Sequence, residues 1–299
     1  AALWVPIRSD GALDRSALAA HLHWLKARGV PGILALGSTG EFPRFSLDER
    51  KALLSTIAEL AAPLPVVANI SDLNHRNAAE LGIFARELGL PAVAIMPPHF
   101  YPLSAADQLA HFLYVAERVE LPTFLYNFPE LTGNRICLET ISAFADRVPM
   151  AGIKHSGTEF DYLPQLVALG QAKDFVVFAG ADTRLPEAVA MGVAGCIGGM
   201  VNFVPELMIH VYEECRRGQT QGAMASAQAL VAIGNVINQL TFPLNVGAGM
   251  QSRGLSWGTA KGVVSGESRK CFDLIVAKLQ ALYSQRGLGS PEGVFAFGK

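Results

Sequence analysis

Short apolar runs recur along the first 215 or so residues, and each is followed by a stretch of helical periodicity. Leu3–Ile7, Gly32–Leu36, Pro65–Ala68, Ala92–Met96, a run ending at Tyr126, a run ending at Lys154, Phe175–Ala179 and Ala194–Gly198 read as buried strands. They lack the in-out alternation of a half-exposed sheet, and this is the pattern of parallel strands covered on both faces. Helices are expected over about Asp14–Arg28, from Leu47, and over Asn74–Leu88, Ala105–Arg118, Leu138–Ala145, Phe160–Leu169, up to Met191, and over Pro205–Cys215. Ser46 precedes Glu49 at capping-box spacing, which marks one helix start. Eight strand-helix units predict an α/β chain built as a (β/α)8 TIM barrel, residues 1–218. The remaining pattern predicts C-terminal helices over 219–286 packed on the barrel, and a glycine-rich tail over 287–299.

Two of these strand ends carry chemistry. Tyr126 closes one run and Lys154 the next, one strand-helix unit later. Neighbouring parallel strands point the same way, so both side chains are expected at one rim of the barrel. Each alone has an ordinary explanation, the lysine as a solvated strand end and the tyrosine as a buried hydrogen-bonding ring. Together, a phenol beside an amine suggests imine chemistry.

Other classes of function find little support. With 24 Lys and Arg against 26 Asp and Glu, the net charge is −2, so there is no basic footprint for nucleic acid or an acidic membrane. The four cysteines, Cys137, Cys196, Cys215 and Cys271, form no C-x-x-C pair, and the histidines are dispersed, so neither a disulfide framework nor a metal site is expected. The start has no charged region ahead of a long apolar core, and no window is long enough to span a bilayer. The expectation is a soluble, cytoplasmic protein whose partner is a small molecule.

Five ordered motifs carry a resemblance: Gly37-Ser38-Thr39-Gly40-Glu41, Tyr126-Asn127-Phe128-Pro129-Glu130-Leu131-Thr132-Gly133, Gly152-Ile153-Lys154, Gly180-Ala181-Asp182, and Gly195-Cys196-Ile197-Gly198 with Asn202 and Pro205. In this order and at this spacing, the chain resembles the dihydrodipicolinate synthase and N-acetylneuraminate lyase family of class I pyruvate-dependent aldolases over nearly its whole length. The resemblance implies that Lys154 forms a Schiff base with a 2-oxo acid and that Tyr126 shuttles protons. Ser38 and Thr39 would receive the pyruvyl carboxylate, and Gly40 and Ile197 would belong to the same substrate-binding site. It also implies no metal, no dissociable cofactor and a homotetramer. An amine attacks a carbonyl only when unprotonated, and an apolar barrel mouth disfavours the ammonium.

Departures from the family pattern bear on the substrate. Leu131 stands where the synthases of lysine biosynthesis carry the arginine that holds their second substrate's carboxylate. The Phe-Pro-x-Leu-Thr-Gly wording is closer to sialic acid lyases and 2-keto-3-deoxy sugar acid aldolases. Asp182 matches a hydroxyl-binding position of the sialic acid lyases, but Thr183 and Gly199 replace two of their polar groups, which favours a shorter polyhydroxy acid. Ser156 is either a contact for such hydroxyls or a helix-start residue. Phe100 occupies the place of a relay tyrosine, with His99 and Tyr101 beside it. Phe242-Pro243-Leu244-Asn245-Val246 resembles a stretch that reaches the barrel mouth in the sugar acid aldolases.

The expected activity is therefore cleavage or formation of a 2-keto-3-deoxy sugar acid from pyruvate and an aldehyde. The alternatives are dihydrodipicolinate synthesis, a 2-oxo acid dehydratase using the same imine, and a keto-acid sensor that turns nothing over.

Overall fold

The computed structural model describes residues 1–285. Strands β1 (Ile33–Ala35), β2 (Val66–Asn69), β3 (Ala92–Ile95), β4 (Thr123–Asn127), β5 (Met150–His155), β6 (Val176–Ala179) and β7 (Gly195–Cys196) form one parallel sheet in sequence order. Crossovers in the same order are what a strand-helix repeat produces. The sheet is overlaid by α1 (Arg15–Ala27), α2 (Leu47–Ala61), α3 (His75–Glu87), α4 (Ala105–Val119), a single turn α5 (Pro129–Thr132), α6 (Leu138–Ala145), α7 (Leu163–Lys173), α8 (Leu185–Ala190) and α9 (Pro205–Arg216). The last three helices are α10 (Thr220–Ile237), α11 (Leu244–Ser252) and α12 (Gly266–Gln285).

Local chemistry sets the helix starts. Asp14, Asn74 and Ser104 each turn a side-chain oxygen onto a first-turn N–H of the helix that follows, and Ser46 with Glu49 completes the capping box at the start of α2. Their inward faces then bury Leu18, Leu22 and Leu25, or Leu53, Leu54 and Ile57, against the strands. Three expected helices begin differently. A 3-10 turn over Phe160–Tyr162 precedes α7, another over Asp182–Arg184 precedes α8, and a third over Met200–Asn202 precedes α9. Pro164, Pro186 and Pro205 stand in the first turns of those helices, where a missing N–H costs nothing.

The expected first strand, Leu3–Ile7, is not a regular strand. Residue 2 makes an isolated parallel bridge with Leu34. Leu3 N donates to Leu34 O at 3.0 Å, while Ala2 N donates to Gly198 O at 3.1 Å, so this segment touches both edges of the sheet. Beyond it the backbone turns to other partners. Trp4 N donates to Asn202 Oδ1 at 3.0 Å, and Ile7 bridges Leu13 and accepts from Thr259 N. Asn202 is the knot here: its amide nitrogen donates to Ala2 O and Gly199 O, and its oxygen also meets His21 Nε2 at 3.1 Å.

Of the C-terminal helices, α10 runs along α9 and sets Gly234 against Thr183, and α11 lies on the turn over Met200–Asn202 with Gly249 close against the Phe203 ring. The expected tail, 287–299, lies outside the described residues.

Candidate active site

The register of the sheet pairs Tyr126 with Lys154 and Asn127 with His155 across β4 and β5. Side chains alternate along a strand, so Tyr126 and Lys154 share one face and Phe124 and Gly152 share it one step lower. The Phe124 ring fills the room that Gly152 leaves: a Cβ at 152 would lie 2.6 Å from Phe124 Cε1 and 2.4 Å from Val176 O. Phe124 and Phe178, with ring centroids 6.1 Å apart, form an apolar floor under the lysine. Beneath it, towards the strand starts, an apolar cavity of about 350 Å³ is bounded by Leu34, Val67, Ala94, Cys196 and Ile197 among others, with Lys154 at its edge.

Lys154 is 5% exposed and Tyr126 2%, so the pair is withdrawn from bulk water. Lys154 Nζ donates to Tyr126 OH at 3.0 Å and sits 4.2 Å from the centroid of the ring. The phenol oxygen also lies 3.2 Å from Ser38 Oγ. Because the amine donates to the phenol oxygen, the phenol proton is free to point to Ser38, which makes a chain of hydrogen bonds from amine to hydroxyl. Phe128 stacks beside the tyrosine at 6.3 Å and holds its plane.

Ser38 and Thr39 lie on the loop after β1, which the left-handed Leu36 (φ 55°) turns sharply at the strand end. Among the described residues no acceptor meets the backbone N–H of either, so two amide donors and two hydroxyls remain at this rim. Gly40 belongs to the same loop. Its N–H is spent on Gly37 O, and its α-carbon backs onto Leu3 O, so it packs the loop against the N-terminal segment rather than presenting a donor. Glu41, left-handed at φ 57°, turns its carboxylate to Arg44 at 2.7 Å and to Lys261 at 3.4 Å.

At the sugar end the expected residues come only partly together. Asp182 Oδ2 accepts from Gly199 N at 3.1 Å and Met200 N at 3.4 Å, holding the turn after β7. Burial raises its carboxyl above the ordinary range, against the backbone N–H groups and the nearby Lys154 charge, which lower it. Its first duty is therefore to the backbone, because Gly198 leaves just enough room for Oδ1. Ser156 is buried with its hydroxyl pressed on Gly180, where a Cβ would come within 2.0 Å of Oγ. It does not start a helix. Ile197 donates its N–H to Ala179 O at 2.9 Å, which continues the β6–β7 pairing one residue past the strand.

Gly199 stands between Thr39 Oγ1 and Val246 Cγ2, 3.8 Å and 3.3 Å from a Cβ placed there, so the start of α11 does reach this rim. Phe100 adopts φ 83° and is 79% exposed, and Tyr101 is 69% exposed. Their rings meet each other edge to face rather than Tyr126. Leu131 is also exposed, on α5.

The model of the dihydrodipicolinate synthetase family matches residues 1–267. The chain belongs to that family. Among its relatives is YagE of Escherichia coli K12, named as a candidate 2-dehydro-3-deoxy-D-gluconate aldolase, 31% identical over 75% of this chain and 76% of its own length. The crystal structure of YagE in complex with pyruvate overlays with a TM-score of 0.87 at 27% identity, covering 94% of this chain and 96% of that one. A 4-hydroxy-tetrahydrodipicolinate synthase of Agrobacterium fabrum is 34% identical over 69% of this chain and 70% of its own. The 2-keto 3-deoxygluconate aldolase of Picrophilus torridus has the same fold, with a TM-score of 0.81 at 23% identity over 87% of this chain and 94% of that one.

Three features of this family member are not evident from its motifs. Asn127 and His155 lie directly behind the tyrosine and the lysine, as strand alternation requires, but the 3.0 Å contact between their side chains is not written in the motifs. Cys196 points its thiol to Asp182 Oδ1 at 3.8 Å, inside the sheet, and burial with the neighbouring carboxylate pushes that thiol well up. Lys261, between α11 and α12, is buried under Trp4, and nothing in its local sequence predicts the Glu41 partner.

Proposed function

We propose that the protein is a class I aldolase that cleaves or forms a short 2-keto-3-deoxy sugar acid through an imine on Lys154. The observation that carries this is the buried amine at 3.0 Å from the Tyr126 phenol, itself within hydrogen-bond reach of Ser38. The 2-dehydro-3-deoxy-D-gluconate aldolase activity for which YagE is named, and the pyruvate bound by YagE, support the substrate class.

In cleavage, the 2-oxo acid docks its carboxylate on the hydroxyls and N–H groups of Ser38 and Thr39. Lys154 attacks C2, water leaves, and the imine nitrogen becomes positive. Tyr126 takes the proton of the C4 hydroxyl as the C3–C4 bond breaks. The bond's electron pair passes to the iminium, which gives an enamine and a free aldehyde. Protonation at C3 and hydrolysis then release pyruvate and the amine. Every proton involved can pass along the amine, phenol and hydroxyl chain, and the chemistry calls for no further cofactor. Exposed, uncharged Leu131 offers no anchor to a second carboxylate, and for that reason a sugar aldehyde is favoured over aspartate semialdehyde.

We infer that residues 1–3 complete the seven strands as the eighth member of a closed barrel, with 1–218 the catalytic unit and 219–286 its helical buttress. The active form would be a cytoplasmic homotetramer.

Incubation with pyruvate and borohydride followed by peptide mapping tests the imine. The added mass is expected on Lys154 and absent in Lys154→Arg; no adduct on Lys154 ends this reading. Product analysis over a panel of 2-keto-3-deoxy acids separates the activities. An aldolase releases pyruvate, a dehydratase keeps the carbon chain whole, and an adduct with no turnover marks a sensor.

A further inference from the structure

One residue beyond Tyr126 and Lys154, on the opposite face of the same two strands, lies a second pair. Asn127 and His155 are register partners and are 0% and 3% exposed. Asn127 Nδ2 is 3.0 Å from His155 Nδ1. Each is fixed at its other end by a backbone group that admits one assignment only. Asn127 Oδ1 accepts from Ile136 N at 3.0 Å, which orients the amide. His155 Nε2 is 2.8 Å from Glu159 O, an atom that can only accept, so Nε2 carries the proton. Nδ1 is then left with a lone pair for the Asn127 amide. The ring is wedged edge-on against Tyr162, 5.5 Å between centroids, whose hydroxyl donates to Ile136 O at 3.0 Å.

We propose that Asn127 and His155 are positioning residues for the lysine-phenol pair: the neutral, Nε2-protonated imidazole accepts from the Asn127 amide, and this bond locks the ends of β4 and β5 at the register that sets Lys154 Nζ against Tyr126 OH. What the pair does rests on the aldolase reading; the clamp itself does not. A second ring proton would set two N–H groups face to face. Asn127 cannot turn to offer its oxygen without stranding the buried Ile136 N–H. The clamp is therefore a neutral-pH device.

Burial lowers the imidazole pKa below its ordinary value and outweighs the Glu159 carbonyl and the Glu159 and Glu130 charges, which raise it; Arg135 lowers it further. Those charged neighbours are themselves engaged. Glu159 pairs with Arg135 at 2.6 Å, Arg135 stacks on Tyr162, and Glu130 accepts from Thr158.

Two substitutions separate the ring's two bonds. His155→Asn sets an amide oxygen where Nδ1 stood and keeps the acceptor for Asn127. His155→Gln sets an amide N–H where Nε2 stood, keeping Glu159 O but removing that acceptor. The rate at which pyruvate and borohydride label Lys154 is measured for both across the acid and neutral range. At neutral pH the Asn variant is expected within about threefold of the parent, and the Gln variant roughly ten- to a hundredfold slower, as a misplaced reacting group would be. In acid, where the parent's ring takes up its second proton and the variant has none, the Asn variant is expected to overtake the parent. Equal rates for the two variants at neutral pH, or no crossover in acid, overturns the proposal.

Nitrogen NMR of the His155 ring in the unsubstituted protein is the second measurement and needs no turnover. A neutral Nε2–H tautomer at neutral pH is expected, and an Nδ1–H tautomer or an imidazolium overturns the clamp. A parent protein that forms no adduct would thus sink the aldolase reading alone, while the ring tautomer still decides the clamp.

Discussion

A single hydroxyl separates Tyr126 from phenylalanine, and the geometry says what that hydroxyl does. Tyr126→Phe keeps the ring beside the amine and its stacking on Phe128 but breaks the chain from Lys154 to Ser38. Turnover is expected to fall by roughly 10²- to 10⁴-fold, the usual loss of a proton-transfer group, and leaving the buried amine without its acceptor is expected to cost about 1–3 kcal/mol of stability; steady-state kinetics and a denaturant titration check both. The tyrosine, the lysine and the Ser38 loop were legible because strand ends in a parallel sheet converge on one rim. Asp182 was legible as a residue of that rim but not in its duty, since its backbone partners at 199 and 200 depend on how a distant turn folds. Gly40 was legible as part of the Ser38 loop but not in its packing: a glycine there also serves a close approach, and a Cβ on it would lie 3.1 Å from Leu3 O.

At the scale of elements, strand β5 depends on the missing side chain at 152. Gly152→Ala would press a methyl group onto the Val176 carbonyl and the Phe124 ring, and the β5–β6 spacing cannot yield to it cheaply. A loss of about 1–3 kcal/mol in denaturant unfolding is expected, with a weaker Lys154 adduct because the floor shifts. The segment joining α11 to α12 carries a different liability. Burial lowers the Lys261 amine from 10.5 to about 8, although Glu41 raises it. Between those two values the unfolded chain binds more protons than the folded one, so this group makes stability rise as pH climbs from 8 towards 10.5. Lys261→Met is expected to flatten that rise in urea titrations. Most elements could be read from apolar runs and caps. The first strand could not, because Trp4 gives its N–H to the Asn202 side chain where a strand would give it to a neighbour.

For the molecule as a whole, acid is the predicted weakness. His21 lies buried against Asn202, and burial lowers its pKa from 6.5 to about 4. An imidazole with a depressed pKa contributes its stability above 6.5 and loses it as pH falls through that window, here by ~3 kcal/mol in all. Unfolding midpoints measured down to pH 4 should fall more steeply in the parent than in His21→Asn, once the cost of the substitution at neutral pH is subtracted. The meeting of the N-terminal segment with Gly198 and Asn202 also sets a timetable for the newborn chain. At ribosomal speeds of 5–20 residues per second, residues 2–4 wait roughly 10–40 s before position 202 is made, so the half-built sheet keeps one seam open to chaperones and to other nascent chains.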